Sequence, residues 1–155
     1  MTNASSEKID QFIDDYYFLS NFYEVPITFE GIQYLNSEAA FHAQKTLDIE
    51  ARKQYSSLDP KSAKRKGRKE NLRTDWEEVK VDIMKRICIA KFEQNPDLKE
   101  KLLATGNKTL IEGTWWKDTF WGIDLKTGQG QNHLGQILME IRDEFRKIQT
   151  IELLV

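Results

Sequence analysis

Apolar and polar positions change rhythm several times along this chain, and each change marks an element. From Phe12 to Tyr34 aromatic and β-branched residues mix with turn residues. Within that stretch VPITFEGIQYL alternates apolar and polar positions on either side of Glu30-Gly31, which predicts a β-hairpin turning at those two residues. The next segment, NSEAAFHAQKTL, carries good helix formers. Asn36 or Ser37 can cap it, and Glu38 then falls in the first turn, where the helix dipole favours a carboxylate. A second helical piece is expected over Asp48 to Ser57, and a third begins at Asp59-Pro60, because proline suits the first helical position.

Further on, Thr74-Asp75-Trp76-Glu77 has the form of a capping box. Trp76, Val79, Ile83, Ile87 and Ala90 then recur at helical spacing, which predicts a helix over 75–94. Asn95-Pro96 opens another, with Leu98, Leu102 and Leu103 inward and Thr105-Gly106 as its end. Between Thr109 and Gln131 the helical pattern gives way to aromatics, glycines and acids, read as a short strand through Leu110 and Ile111 followed by a long loop. Asn132 is the expected cap of a last helix whose Leu134, Ile137, Leu138, Ile141 and Phe145 form one apolar stripe. The sum is mainly α with a small β component, an α+β domain with an N-terminal hairpin and about six helices. It is expected over residues 12–148, between a mobile tail at 1–11 and a C-terminal tail at 149–155.

Composition agrees and narrows the class. A chain of 155 residues can bury one core, and 39% hydrophobic with 31% charged residues is the balance of a globular protein. Lys and Arg number 23 against 25 acids, a net charge of 23 − 25 = −2, so no global basic field draws it to nucleic acid or anionic membrane. The single cysteine, Cys88, excludes an internal disulfide and a cysteine metal cage within one chain. With no apolar signal core or spanning segment, a reducing, cytoplasmic setting without membrane partners is expected.

Four features carry candidate chemistry, each beside a plainer account. In SEAAFHAQK, Glu38, Phe41 or His42, and Lys45 follow at three- and four-residue steps and can share one helix face, either as a pocket wall or as an exposed charge ladder. In TLIEGTWWKDTFWGID, Glu112, Asp118 and Asp124 alternate with Trp115, Trp116, Phe120 and Trp121. Stacking walls beside carboxylates suit a base and a sugar, although some tryptophans must be core. The run Lys61, Lys64, Arg65, Lys66, Arg68 and Lys69, then Arg73, can hold phosphate or simply be a solvated helix face. Gly128 and Gly130 before Asn132 can present backbone N–H groups to an anion, or merely lead into a helix cap. His42 and His133, the only histidines, lie far apart in sequence and suggest no metal site; no cofactor is implied.

Taken in order, LSNFY at Leu19 to Tyr23, SEAAFHAQK, the Gly67 to Trp76 stretch, KFEQNPDLKEKLLATG, LIEGTWWKDTFWG and GQNHLGQILMEIR resemble the NADAR family, also known as YbiA-like N-glycosidases. The resemblance implies a mainly helical, metal-independent domain that cleaves a ribose C1–N bond. The substrate class would be phosphoribosylamino-pyrimidine intermediates of riboflavin synthesis or, alternatively, ADP-ribosylated guanine bases; nucleic acid would be a partner only in the second case. A non-catalytic module binding ADP-ribose or an NAD-derived nucleotide is the rival outside enzymology. Carried over letter by letter, the resemblance points to Glu38, Lys45, Glu112, Asp118, Trp121, Gly122, Asn132 and Gly135, with Asn21 and Phe22 at the pocket edge. Ala39 and Ala40 stand where many members have an aromatic pair, which leaves packing to Phe41 and His42; Phe41 joins the expected substrate-binding positions. Such a reaction needs a carboxylate near C1 and a proton for the leaving nitrogen. Glu38 is expected in that role, Lys45 as a Schiff-base alternative, Glu112 and Asp124 as groups that hold hydroxyls or water, and Arg65 and Arg68 among the phosphate ligands.

Overall fold

The hairpin forms where the alternation placed it. β1 (Lys8–Ile9) precedes β2 (Ile27–Phe29) and β3 (Ile32–Tyr34), and β2 and β3 pair antiparallel with Phe29 opposite Ile32. Glu30 and Gly31 turn with φ of 48° and 83°, the two left-handed residues that a type I′ turn requires. This computed structural model describes residues 7–155. The chain packs as two compact units, a middle one of Asn21–Asn95 and a terminal one formed by the stretch through Ser20 together with Pro96–Val155.

The middle unit holds β2 and β3, then α1 (Ser37–Ala43), α2 (Ile49–Lys53), α3 (Pro60–Gly67) and α4 (Trp76–Gln94). Asp48 and Asp59 cap α2 and α3 through Glu50 N–H and Ser62 N–H, as their side-chain chemistry predicts. α2 stops at Lys53, short of Ser57. The capping box expected at Thr74 does not form. Asp75 occupies the cap position without capping, because its carboxylate is taken by both sides of the Arg73 guanidinium at 2.6 and 3.1 Å. α4 lays Ile83, Met84, Ile87, Cys88 and Phe92 into the core, with Val79 and Ala90 half-buried, and its Gln94 side chain pairs both backbone groups of Thr28 at 2.8 Å. That clasp satisfies a strand that would otherwise expose its backbone.

In the terminal unit α5 (Pro96–Ala104) ends at Gly106, which is left-handed at φ 64°. β4 (Thr109–Leu110), β5 (Gly113–Thr114) and β6 (Ile123–Asp124) follow, then α6 (His133–Leu154). β1 pairs in parallel with β4, so the expected tail is ordered strand from Lys8; residues 1–6 of that tail lie outside the described residues. Helical hydrogen bonding likewise continues through 149–155, expected as a tail, to Leu154. Leu134, Ile137, Leu138, Ile141 and Phe145 are buried as one stripe. Arg142 and Arg146 reach from α6 to Thr105 and to Gly106, binding the two helices where α5 ends. Among the described residues no helix is long and apolar enough to cross a membrane.

Asn36 fixes how α1 enters. Fully buried, it accepts a hydrogen bond from Ala39 N–H at 2.8 Å and donates to the Leu58 carbonyl at 3.0 Å. Replacing it with alanine removes a cap and orphans two buried backbone groups. Asn36→Ala is therefore expected to lower unfolding free energy by about 2–3 kcal/mol in urea titration.

Candidate active site

The helix that carries Glu38 is not an exposed charge ladder. Six of the seven residues of α1 are buried, and only Glu38 stays half-open. Its backbone N–H donates to the Asn21 carbonyl at 3.2 Å, which ties the helix start to the segment of Asn21 and Phe22. Asn21 donates in turn to Met84 Sδ at 3.3 Å, and Lys64 lies over the Phe22 ring at 5.8 Å. Phe41 packs against Trp76 with ring centroids 5.1 Å apart, so it serves the core beneath the helix.

Glu38 Oε1 and His42 Nε2 lie 2.7 Å apart, one helical turn from each other, with both side chains largely covered. Lys45 stands just beyond the helix, because α1 ends at Ala43 and Gln44 forms its cap. The single helical face expected to carry Glu38 through Lys45 is therefore a helix plus its first exit residue. Lys45 Nζ donates to the Gly67 carbonyl at 3.1 Å, and Arg73 N–H takes the Lys45 carbonyl at 2.8 Å. Burial lowers the Lys45 pKa from its ordinary 10.5; Glu38 and Glu70 oppose the shift, and Arg68 and Lys80 add to it. Arg65 and Arg68 are exposed at the end of α3, Arg68 within electrostatic reach of Lys45.

Gly67 was passed over in the sequence except as part of a motif. A Cβ on it would lie 2.1 Å from His42 Nδ1 and 2.5 Å from Cγ, so the imidazole occupies the room a side chain would need. The signal that could have found it was a glycine ending a lysine-rich helix where nothing local required one.

In the terminal unit the aromatic loop is built by its own backbone. β5 and β6 pair in parallel, Gly113 with Ile123 and Thr114 with Asp124, and residues 115–122 bulge between them. Asp118 Oδ1 accepts from Phe120 N–H and Trp121 N–H at 3.2 and 2.9 Å, so this carboxylate shapes the loop. Trp115 and Trp116 are exposed, whereas Trp121 is half-buried, edge-on to Phe120 at 4.8 Å and 6.3 Å from the His133 ring. Asp124 is buried and accepts from Lys126 N–H at 3.0 Å.

Of the two readings open for the segment before α6, the lead into a helix start is the one that forms, and its N–H groups are taken by the protein itself. Gln131, Asn132, His133 and Leu134 N–H donate to the carbonyls of Thr119, Gly122, Phe120 and Trp121 at 2.8–3.2 Å. Asn132 does not cap with its side chain either. It is left-handed at φ 52°, and its amide bridges the Leu110 carbonyl at 3.0 Å and Glu112 N–H at 2.9 Å. A Cβ on Gly135 would lie 2.1 Å from the Leu110 carbonyl and 2.4 Å from the Asn132 amide, and one on Gly122 would lie 2.1 Å from the Glu112 carbonyl. Asn132, Gly122 and Gly135 thus hold the backbone that carries Glu112. Cys88, buried in α4 with its pKa pushed up to about 12 by desolvation, is no nucleophile.

A largely covered carboxylate and a desolvated amine thus meet at the end of one helix in a mainly helical α+β framework. The chain belongs to the NADAR family, whose domain matches residues 7–146. It is 42% identical to N-glycosidase YbiA of Escherichia coli over 134 residues, 84% of this chain and 82% of that protein. A riboflavin biosynthesis protein of Vibrio vulnificus is 40% identical over 133 residues, 84% of this chain but 36% of its own length. The NMR structure of E. coli YbiA superposes with a TM-score of 0.80 at 37% identity, covering 95% of this chain and 92% of that one.

If Gly67 is where α3 must yield to His42, alanine there should destabilise even though it is the better helix former by about 1 kcal/mol. Gly67→Ala is expected to cost about 1–3 kcal/mol net in urea unfolding, because the overlap is with the root of the ring and not with a mobile tip.

Proposed function

We propose that this NADAR-family N-glycosidase hydrolyses the ribose C1–N bond of a phosphorylated ribosyl compound, with phosphoribosylamino-pyrimidine intermediates of riboflavin biosynthesis as the substrate class. The observation that carries the reading is a Glu38 carboxylate held 2.7 Å from His42 Nε2 and within electrostatic reach of Lys45, whose ammonium is disfavoured by burial. The riboflavin-related name of the Vibrio relative supports the choice of substrate.

Cleavage develops positive charge at C1 and negative charge on the departing nitrogen. In the direct route the C1–N electron pair leaves with the amine, water adds to C1, and Glu38 takes the proton of the water or supplies one to the nitrogen. In the imine route the ring opens, neutral Lys45 bonds to C1 as the substrate nitrogen departs, and water then releases the sugar. A lysine at its ordinary pKa is protonated and inert in that step, so desolvation is what the second route needs. Exposed Arg65 and Arg68, in the same unit as Glu38 and Lys45, are the proposed phosphate ligands.

Incubating the chain separately with a phosphoribosylamino-pyrimidine and with ADP-ribosylated guanine in DNA tests the substrate. Release of ribose 5-phosphate is expected; release of ADP-ribose instead would move the protein to the other branch, and stoichiometric binding without turnover would make it a reader. Glu38→Gln should reduce kcat by about a hundredfold or more with unfolding unchanged. Borohydride trapping of sugar on Lys45 should increase with pH and reach half its maximum below the ordinary 10.5, since a lowered pKa brings the neutral amine in at lower pH. Trapping that needs a pH above 10.5 would exclude the imine route.

A further inference from the structure

The contact between Glu38 and His42 needs a proton between its two atoms, and the partners of the ring bear on which group carries it. His42 is buried, and its Nδ1 has no hydrogen-bond partner among the described residues. That nitrogen faces the Cα side of Gly67, where a Cβ would lie 2.1 Å away, and Phe41 meets the ring edge-on with centroids 5.5 Å apart. Nδ1 goes unpaired in either tautomer, so it is the acceptor carboxylate 2.7 Å from Nε2 that favours hydrogen on Nε2, donating to Glu38 Oε1. Glu38 Oε2, by contrast, accepts no hydrogen bond among the described residues, and it is not among the fully buried atoms.

We infer that His42 is a positioning residue for the reaction: its Nε2–H holds one oxygen of Glu38 and leaves Oε2 as the oxygen presented to substrate. The inference rests on the reading of Glu38 as the carboxylate that acts at C1. Helix geometry puts the two residues one turn apart, and Gly67 closes the space behind the ring, so the imidazole cannot turn away without moving α3. A carboxylate held by one oxygen loses a rotational freedom that it would otherwise lose on the way to the transition state, which places the expected effect on kcat more than on KM. Glutamine at position 42 would put an amide N–H at a similar reach. Leucine fills the volume and donates nothing.

The tautomer is read directly from long-range 1H–15N correlation of the imidazole in the full chain. Hydrogen on Nε2 is expected, and hydrogen on Nδ1 overturns the inference whatever the activity. In turnover of the substrate found above, His42→Leu is expected to lose about tenfold to a hundredfold in kcat with KM little changed, the scale of one hydrogen bond to a charged group. His42→Gln should recover all but about fivefold of that loss. Should His42→Leu fail to fold, the tautomer and the His42→Gln rate still decide. His42→Leu at the parental rate while Glu38→Gln is inactive sinks the positioning role alone; Glu38→Gln at the parental rate sinks both.

Discussion

The missing side chain at Gly67 is the constraint on which the middle unit turns. Without a Cβ there, α1 and α3 approach until the His42 ring rests against the α3 backbone, and the Gly67 carbonyl is left facing Lys45. One residue thus sets two distances at once. It presses the imidazole toward Glu38, and it gives the lysine an acceptor that is a dipole and not a charge. A carboxylate in its place would have held Lys45 protonated; a carbonyl satisfies the amine while burial works against its charge. The Arg73 backbone N–H on the Lys45 carbonyl completes the arrangement by fixing the main chain at the point where the helix has already ended.

The terminal unit solves a comparable problem by other means. A loop of twenty residues before α6 would be expected to waver, yet its carbonyls are spent on the N–H groups that begin that helix, and the helix start holds the loop in return. Asn132 pins β4 to the residue after Ile111 from inside this junction, and Gly122 and Gly135 are small because backbone passes where their side chains would be. The loop is tied at its base, and Trp115 and Trp116 are exposed on it.

What could be read in the sequence divides along the line between local and distant chemistry. The hairpin at Glu30-Gly31, the proline start of α3 and the stripe of α6 depend on residues a few positions apart, and all formed. The departures have two causes. Asp75 is claimed by Arg73, a neighbour two residues away that competes with the cap, and Asn132 by strand backbone more than twenty positions earlier. Ordered strand at Lys8 likewise came from a pairing with Thr109 that no local pattern announces. Of the candidate site, Glu38 and Lys45 are proposed through resemblance, but spacing alone could not say that the α1 face is buried. Burial is what turns a surface ladder into a held carboxylate.

Part of the cost of that burial gathers around α1. Asn21 Oδ1, Ser37 Oγ and His42 Nδ1 are all covered and lack hydrogen-bond partners among the described residues, and they flank or contact the first turns of α1. Each such group costs about 1–3 kcal/mol, so a chain selected for stability alone would have little reason to gather them around one helix. Apolar residues at Ser37 and His42 would pack the same volume without the penalty. A local breach of the packing rules is what a reactive site looks like when seen through stability, because the arrangement that holds a carboxylate and keeps an amine poorly solvated is one that the resting fold does not prefer. That cost falls on the helix that carries Glu38 and leads to Lys45, and satisfied contacts such as the Asn36 cap and the Gln94 clasp offset it.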